Sequence, residues 1–191
     1  FSYHDQYGVF PPAYVTDASG KRLHSWRVLI LPQLGEQALY NAYNMNEPWD
    51  GPNNSRLLGQ MPAVYGCPSH AAAGPGGTMT TYQALVGPEA VFDANQSASL
   101  AQILDGTAET IIVAEAGPAV NWMEPRDLEM SQMSFQVGDP GGNAIDSDHP
   151  GGAVVLRADG SVTFLSESTS PQALREYLTK SGGESPPPMG F

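Results

Sequence analysis

The sequence predicts an α+β fold, an antiparallel β-sheet with helices packed on one face. Three observations carry this. Ala153 to Leu156 and Val162 to Leu165 are short, β-prone runs joined by Asp159-Gly160, a pair suited to a tight turn because Gly accepts positive φ. They read as a β-hairpin. Thr110 to Ala114 is the most apolar run of the chain and reads as a strand central in the sheet. Ser170-Pro171 opens a final helix, with Pro at its first position, and Leu174, Tyr177 and Leu178 face the core.

Taken in order, Phe1 to Tyr7 reads as the end of a helix stopped by Gly8, with Pro11-Pro12 forbidding continuation. Residues 17–21 form a turn. Ser25 is an N-cap for a helix over 26–31, and a second helix over 33–43 restarts after Pro32. Trp26 and the aliphatic run after it read as core. Residues 46–54 are a loop rich in Pro, Asp and Asn, in which Trp49 either pins the loop to the domain or offers its face to a sugar. One or two helical turns follow over 54–60, then a short strand from Val64 to Cys67 ended by Pro68. A small-residue loop over 71–77 leads to a strand from Thr80 to Val86, and Ser99 caps a short helix to Leu104. Residues 121–133 read as an irregular excursion and 139–143 as a turn. Gly182-Gly183 end the last helix, and 184–191 are a Pro-rich tail. The whole of 1–191 reads as one domain, with no repeat and no splitting linker.

Composition narrows the function classes. The net charge is −12, which repels nucleic acid and anionic lipid and excludes both as partners. Charged residues are only 15%, against 21 Gly and 17 Pro, so loops and turns outweigh long surface helices. Hydrophobic residues at 41% set the chain apart from disordered sequences. No apolar run reaches the ~20 residues of a membrane-spanning helix.

Few residues form a recognisable chemical pattern. His149 and Asp159 invite a reading as a catalytic or metal pair, but ten residues of extended strand at ~3.3 Å each separate them by roughly 30 Å. Asp159 and Gly160 are therefore read as turn residues, and His149 as organising the loop that enters the strand. Between Asp105 and Asp148 nine acids accompany one base, Arg126. Asp146 and Asp148, with carbonyls of Gly141 to Asn143, could supply oxygens to Ca²⁺, although EF-hand spacing is absent and a solvated acidic loop is the favoured alternative. His4, His24, His70, His149 and Cys67 offer no close ligand pair for Zn²⁺, so no metal site is assigned. No nucleophile elbow, phosphate loop or dinucleotide fingerprint is present, and no catalytic residue or cofactor is expected.

His149, nine residues, then Asp159-Gly160 match an H-x9-D-G signature. With it come Tyr3 to Pro12, Ser25 to Pro32, Pro48 to Asn54, and Thr110 to Glu115 followed by Trp122 and Pro125. In these stretches the chain resembles a bacterial family of pilin-like proteins described as prepilin-type processing-associated. The resemblance implies a pilin or pseudopilin-like globular head in which residues 1–8 end an N-terminal helix. It further implies a non-enzymatic subunit of the pseudopilin or minor-pilin kind, displayed outside the cytoplasm. Its partners would be copies of itself or other pilin-like subunits, and any membrane attachment would come through the N-terminal helix. The family's second cysteine usually lies in that helix, so Cys67 either pairs upstream or is a buried free thiol. The alternative function is an extracellular glycan- or Ca²⁺-binding module using Trp49 or Trp122.

Overall fold

The computed structural model describes residues 1–74, 76–94 and 96–183; the tail 184–191 lies outside them. Helix α1 (Ser2–Tyr7) stops at Gly8, whose N–H bonds back to the His4 carbonyl. Strands β1 (Tyr14–Thr16) and β2 (Arg22–Ser25) then pair antiparallel. Asp17 shapes the turn between them, because its Oδ1 accepts from the N–H groups of Ser19 (2.8 Å) and Lys21 (3.0 Å).

Ser25 caps α2 (Trp26–Leu29) by accepting from the Arg27 N–H. The helix expected over 33–43 is split. A 3₁₀ turn over Pro32–Leu34 ends at Gly35, at φ 81°, and only then does α3 (Gln37–Ala42) begin. A left-handed residue cannot carry the α-helical hydrogen-bond ladder. The strand expected from Val64 to Cys67 is also corrected, since Ala63–Tyr65 is a 3₁₀ turn. Flanking Pro62 and Pro68 have no N–H for a ladder, and the Tyr65 hydroxyl anchors the segment by donating to the Arg27 carbonyl at 2.8 Å.

The main sheet contains β3 (Met79–Val86), β4 (Ile111–Asn121), β5 (Leu128–Glu129), β6 (Ala144–Ile145), β7 (Gly152–Arg157) and β8 (Val162–Ser166). Its order is β5-β3-β4-β7-β8, with β6 also on β4. β5 runs parallel to β3 while every other pair is antiparallel, so the sheet is mixed. β4 is central, as its apolar run predicts, and it extends to Asn121. β5 interrupts the excursion expected over 121–133. β7 and β8 form the expected hairpin, with Arg157 accepting from the Gly160 N–H at 2.9 Å and Gly160 at φ 86°. The three-residue loop 158–160 needs a left-handed residue there, which Gly supplies without a Cβ penalty.

Helix α4 (Pro171–Leu178) is capped by Ser170, whose Oγ accepts from the Ala173 N–H at 3.2 Å. It ends at Leu178, short of Gly182-Gly183. Backbone bonds from Lys180 to Glu89 (2.9 Å) and from Leu104 to Lys180 (2.6 Å) lead the chain away from the helix axis.

The sheet is covered on both faces. On one side Leu85, Ile111, Ala114, Val155 and Leu165 pack against Leu174, Tyr177 and Leu178 of α4. On the other, Ala84, Val86, Ile112 and Val113 pack against Phe10, Trp26 and Phe92. The alternation of Ala84, Leu85 and Val86 between the two clusters follows the period-2 pleat. A bulge between Ile111 and Val113 puts Ile112 and Val113 on the same side. Helices on one face only is therefore corrected: α2 and α4 serve opposite faces, because a central strand apolar on both sides demands cover on both.

A third cluster holds Trp122, Tyr65, Val28, Leu31 and Leu57. Beside it lies a buried ion pair. Arg27 Nη2 meets Asp127 Oδ1 at 2.7 Å, with both side chains fully buried. Arg27 also donates to the carbonyl of Tyr82 from Nε (3.0 Å) and Nη2 (2.9 Å). Asp127 Oδ1 further accepts from Trp26 Nε1 (3.0 Å) and the Ala84 N–H (2.8 Å). This joins α2 to β3 and to the segment before β5.

Candidate functional site

Glu115 is the one charged side chain in the apolar core of β4, and it is 1% exposed. Ala114 and Ala116 turn towards α4, so Glu115 turns to the opposite face, where Tyr82 of β3 is its cross-strand neighbour. Two loops bring partners to it. The loop after the Ala63–Tyr65 turn carries Cys67, held by its N–H on the Ala73 carbonyl at 2.8 Å. The loop before β7 carries His149, whose N–H bonds to Ser147 Oγ at 3.0 Å, while that hydroxyl donates to the Gly152 carbonyl at 2.7 Å.

The carboxylate is the hub. Cys67 Sγ donates to Glu115 Oε1 at 3.2 Å, and His149 Nε2 lies 3.4 Å from the same oxygen. The second oxygen, Oε2, accepts from the Val154 N–H at 2.8 Å. One ligand atom from each of Cys67, Glu115 and His149 lies within 4.8 Å of the other two. Cys67 is buried and free, whereas the His149 side chain is 33% exposed and forms the outer rim. Burial, and then Glu115 itself, push the Cys67 thiol up from its ordinary 9.0. Burial likewise pushes the Tyr82 phenol up to about 12, with Cys67 and Glu115 adding to the effect. A thiol held in its neutral form beside a carboxylate is not an activated nucleophile, and the imidazole approaches the carboxylate rather than standing as the thiol's base. The arrangement suits binding better than acyl transfer.

His149 and Asp159 do separate jobs. Asp159 sits at the tip of the β7–β8 hairpin, where Oδ1 accepts from the Ser161 N–H (2.8 Å) and hydroxyl (2.5 Å). Trp122 is fully buried, donates from Nε1 to the Leu58 carbonyl at 3.0 Å and stacks on Tyr65. It has no free face for a glycan, so its reading as a ligand platform is corrected. Trp49 is half-buried against the same cluster and its N–H bonds to the Leu23 carbonyl at 3.0 Å, which pins the loop. Asp139 closes its own turn on the Gly141 N–H at 2.9 Å, and Asp148 is exposed. Among the described residues, Asp146 and Asp148 join no group of three close ligands.

Across the same face as Glu115 runs an apolar groove of about 320 Å³, lined by Trp26, Ile30, Tyr82, Val113, Val154 and Val162 among others. Val64 and Val162 at its rim are 59% and 65% exposed. A second hollow of about 200 Å³ continues it towards Phe1 and Tyr3 of the N-terminal segment, sharing Trp26, Ile30 and Leu156.

A family model described as protein of unknown function, DUF1559, matches residues 1–138 and 136–172. The chain belongs to that family. Comparison with curated proteins and with solved structures returns no match. For this DUF1559 member the residues that sequence reasoning missed are Cys67 and Glu115, which stand 48 positions apart, with His149 a further 34 along. The available signal was Glu115, an acid inside an otherwise apolar central strand, which must find a partner when buried.

Proposed function

We propose that this DUF1559 chain is a non-enzymatic structural subunit of the pseudopilin or minor-pilin kind, displayed outside the cytoplasm. It acts by assembly with copies of itself or with other pilin-like chains. The observation that carries the reading is the apolar groove, flanked by exposed Val64 and Val162 and continuous with the hollow at the N-terminal helix. Apolar side chains grouped this way at a rim mark surfaces that another chain covers. The acidic balance, −12 overall, speaks against nucleic acid as that partner. The resemblance of the H-x9-D-G spacing and its flanking stretches to pilin-like proteins supports the same class. Among the described residues, no helix is long and apolar enough to cross a membrane.

The test places a photo-cross-linking residue at Val162 in the chain expressed from its own locus, followed by cell fractionation. The expected result is a cross-linked species in the extracytoplasmic fraction containing this chain or another pilin-like chain. A protein that stays in the cytoplasmic fraction without a cross-linked partner overturns the reading.

A further inference from the structure

We propose that Cys67, Glu115 and His149 form a Zn²⁺ site with three protein ligands and one open position. Once binding releases the Cys67 proton, the three residues supply the donors Zn²⁺ prefers, namely a thiolate, a carboxylate oxygen and an imidazole nitrogen. The two separations from the Glu115 oxygen fit tetrahedral coordination. With Zn–S of ~2.3 Å and Zn–O and Zn–N of ~2.0–2.1 Å, a tetrahedral ion holds sulfur and oxygen about 3.5 Å apart, and nitrogen and oxygen about 3.3 Å apart. The corresponding separations here are 3.2 Å and 3.4 Å. The third separation, Cys67 sulfur to His149 nitrogen, lies within 4.8 Å and closes to about 3.5 Å around a tetrahedral ion, a movement taken up by the Cys67 and His149 side chains on their loops.

The surroundings carry the same inference independently. Glu115 is a buried carboxylate, and among the described residues its ion-pair partner is His149 rather than a lysine or arginine. Buried carboxylates are paired and hydrogen-bonded or coordinate a metal, and an imidazole serves either arrangement. Its second oxygen is already fixed by the Val154 N–H, the kind of outer bond that orients a ligating carboxylate. The His149 backbone is likewise set by Ser147. Each ligand thus comes from a different part of the chain, a loop at 67, the central strand at 115 and a loop at 149. An ion there ties the two loops to the sheet. His149, partly exposed, marks the way in, and water would complete the shell.

The experiment uses the reduced, metal-free chain titrated with Zn²⁺ alone and with Co²⁺ alone as a spectroscopic stand-in. One Zn²⁺ per chain is expected. Co²⁺ should give the visible bands of a tetrahedral site and a thiolate charge-transfer band that Cys67→Ser abolishes. His149→Gln, at a partly exposed position, should leave the metal-free chain folded by circular dichroism. It should weaken Zn²⁺ binding by at least about tenfold, the minimum seen even for residues that merely support a ligand. Sub-stoichiometric Zn²⁺, or Zn²⁺ affinity unchanged in both His149→Gln and Cys67→Ser, overturns the proposal. The result is independent of cross-linking at Val162, so either conclusion can fail alone.

Discussion

Replacing Arg27 with Met tests what the buried pair contributes. The substitution keeps an unbranched chain of similar length and removes the cation. Asp127 would then be a fully buried carboxylate whose Oδ1 keeps the Trp26 and Ala84 donors and whose Oδ2 has no partner. Burial already pushes the Asp127 carboxyl up from its ordinary 3.8, with Arg27 the largest opposing influence. Breaking a buried pair on one side costs about 3–5 kcal/mol, a large share of the ~5–15 kcal/mol that holds a domain folded. With a urea slope of about 1–3 kcal/mol per M, the unfolding midpoint should fall by at least about 1 M. Equilibrium urea unfolding followed by circular dichroism reads this directly. Arg27→Met combined with Asp127→Leu removes both charges, and should be less destabilised than the sum of the singles by about 2 kcal/mol. A loss under about 1 kcal/mol for Arg27→Met, or strict additivity in the double variant, would refute the reasoning.

Gly160→Val should cost at least about 1 kcal/mol in the same assay, because the position sits at φ 86° and an added Cβ would lie 2.5 Å from Phe1 Cε2; an unchanged midpoint contradicts this. Trp122→Ala should cost about 3–5 kcal/mol through the cavity it leaves beside Tyr65, whereas a glycan-binding surface residue would tolerate the change. The Ser161 hydroxyl, then its N–H, hold the Asp159 carboxyl below the ordinary 3.8. The sign follows: the stability linked to Asp159 is present above pH 3.8 and is lost as the pH falls through its lower folded value, and Asp159→Asn should flatten that limb. A carboxyl NMR titration with a midpoint at or above 3.8 would contradict this.

The local features were legible because they are written in adjacent residues. Asp159-Gly160, Ser25 before Trp26 and Ser170-Pro171 each specify a turn or a cap through their own backbone chemistry. The central place of β4 was legible from an apolar run that only a strand covered on both faces tolerates. What stayed hidden depends on distance along the chain. Arg27 is a base on a short helix with no acid at helical spacing, and its mate is 100 positions away. Cys67 and Glu115 carry no spacing rule, because a 3₁₀ turn and a cross-strand register bring them together. β5 is two residues long and pairs parallel, so neither periodicity nor a hairpin turn betrays it. Trp122 follows a strand in a segment that reads as irregular, and only the stacked Tyr65 explains why it is inside.

The central position of β4 also orders events during synthesis. β3 is flanked by β4 and β5, both made later, so when residue 110 has emerged the main sheet has no pair of strands to join. The only β pairing then available among the described strands is the small β1–β2 hairpin. At about 5–20 residues per second, the ~40 residues from the start of β4 to the start of β7 add roughly 2–8 s before the sheet can be completed on its other side. Through that interval the nascent chain carries Leu85, Ile111 and Ala114 without their cover from Val155, Leu165 and α4, and that face needs protection from other chains until those residues are made.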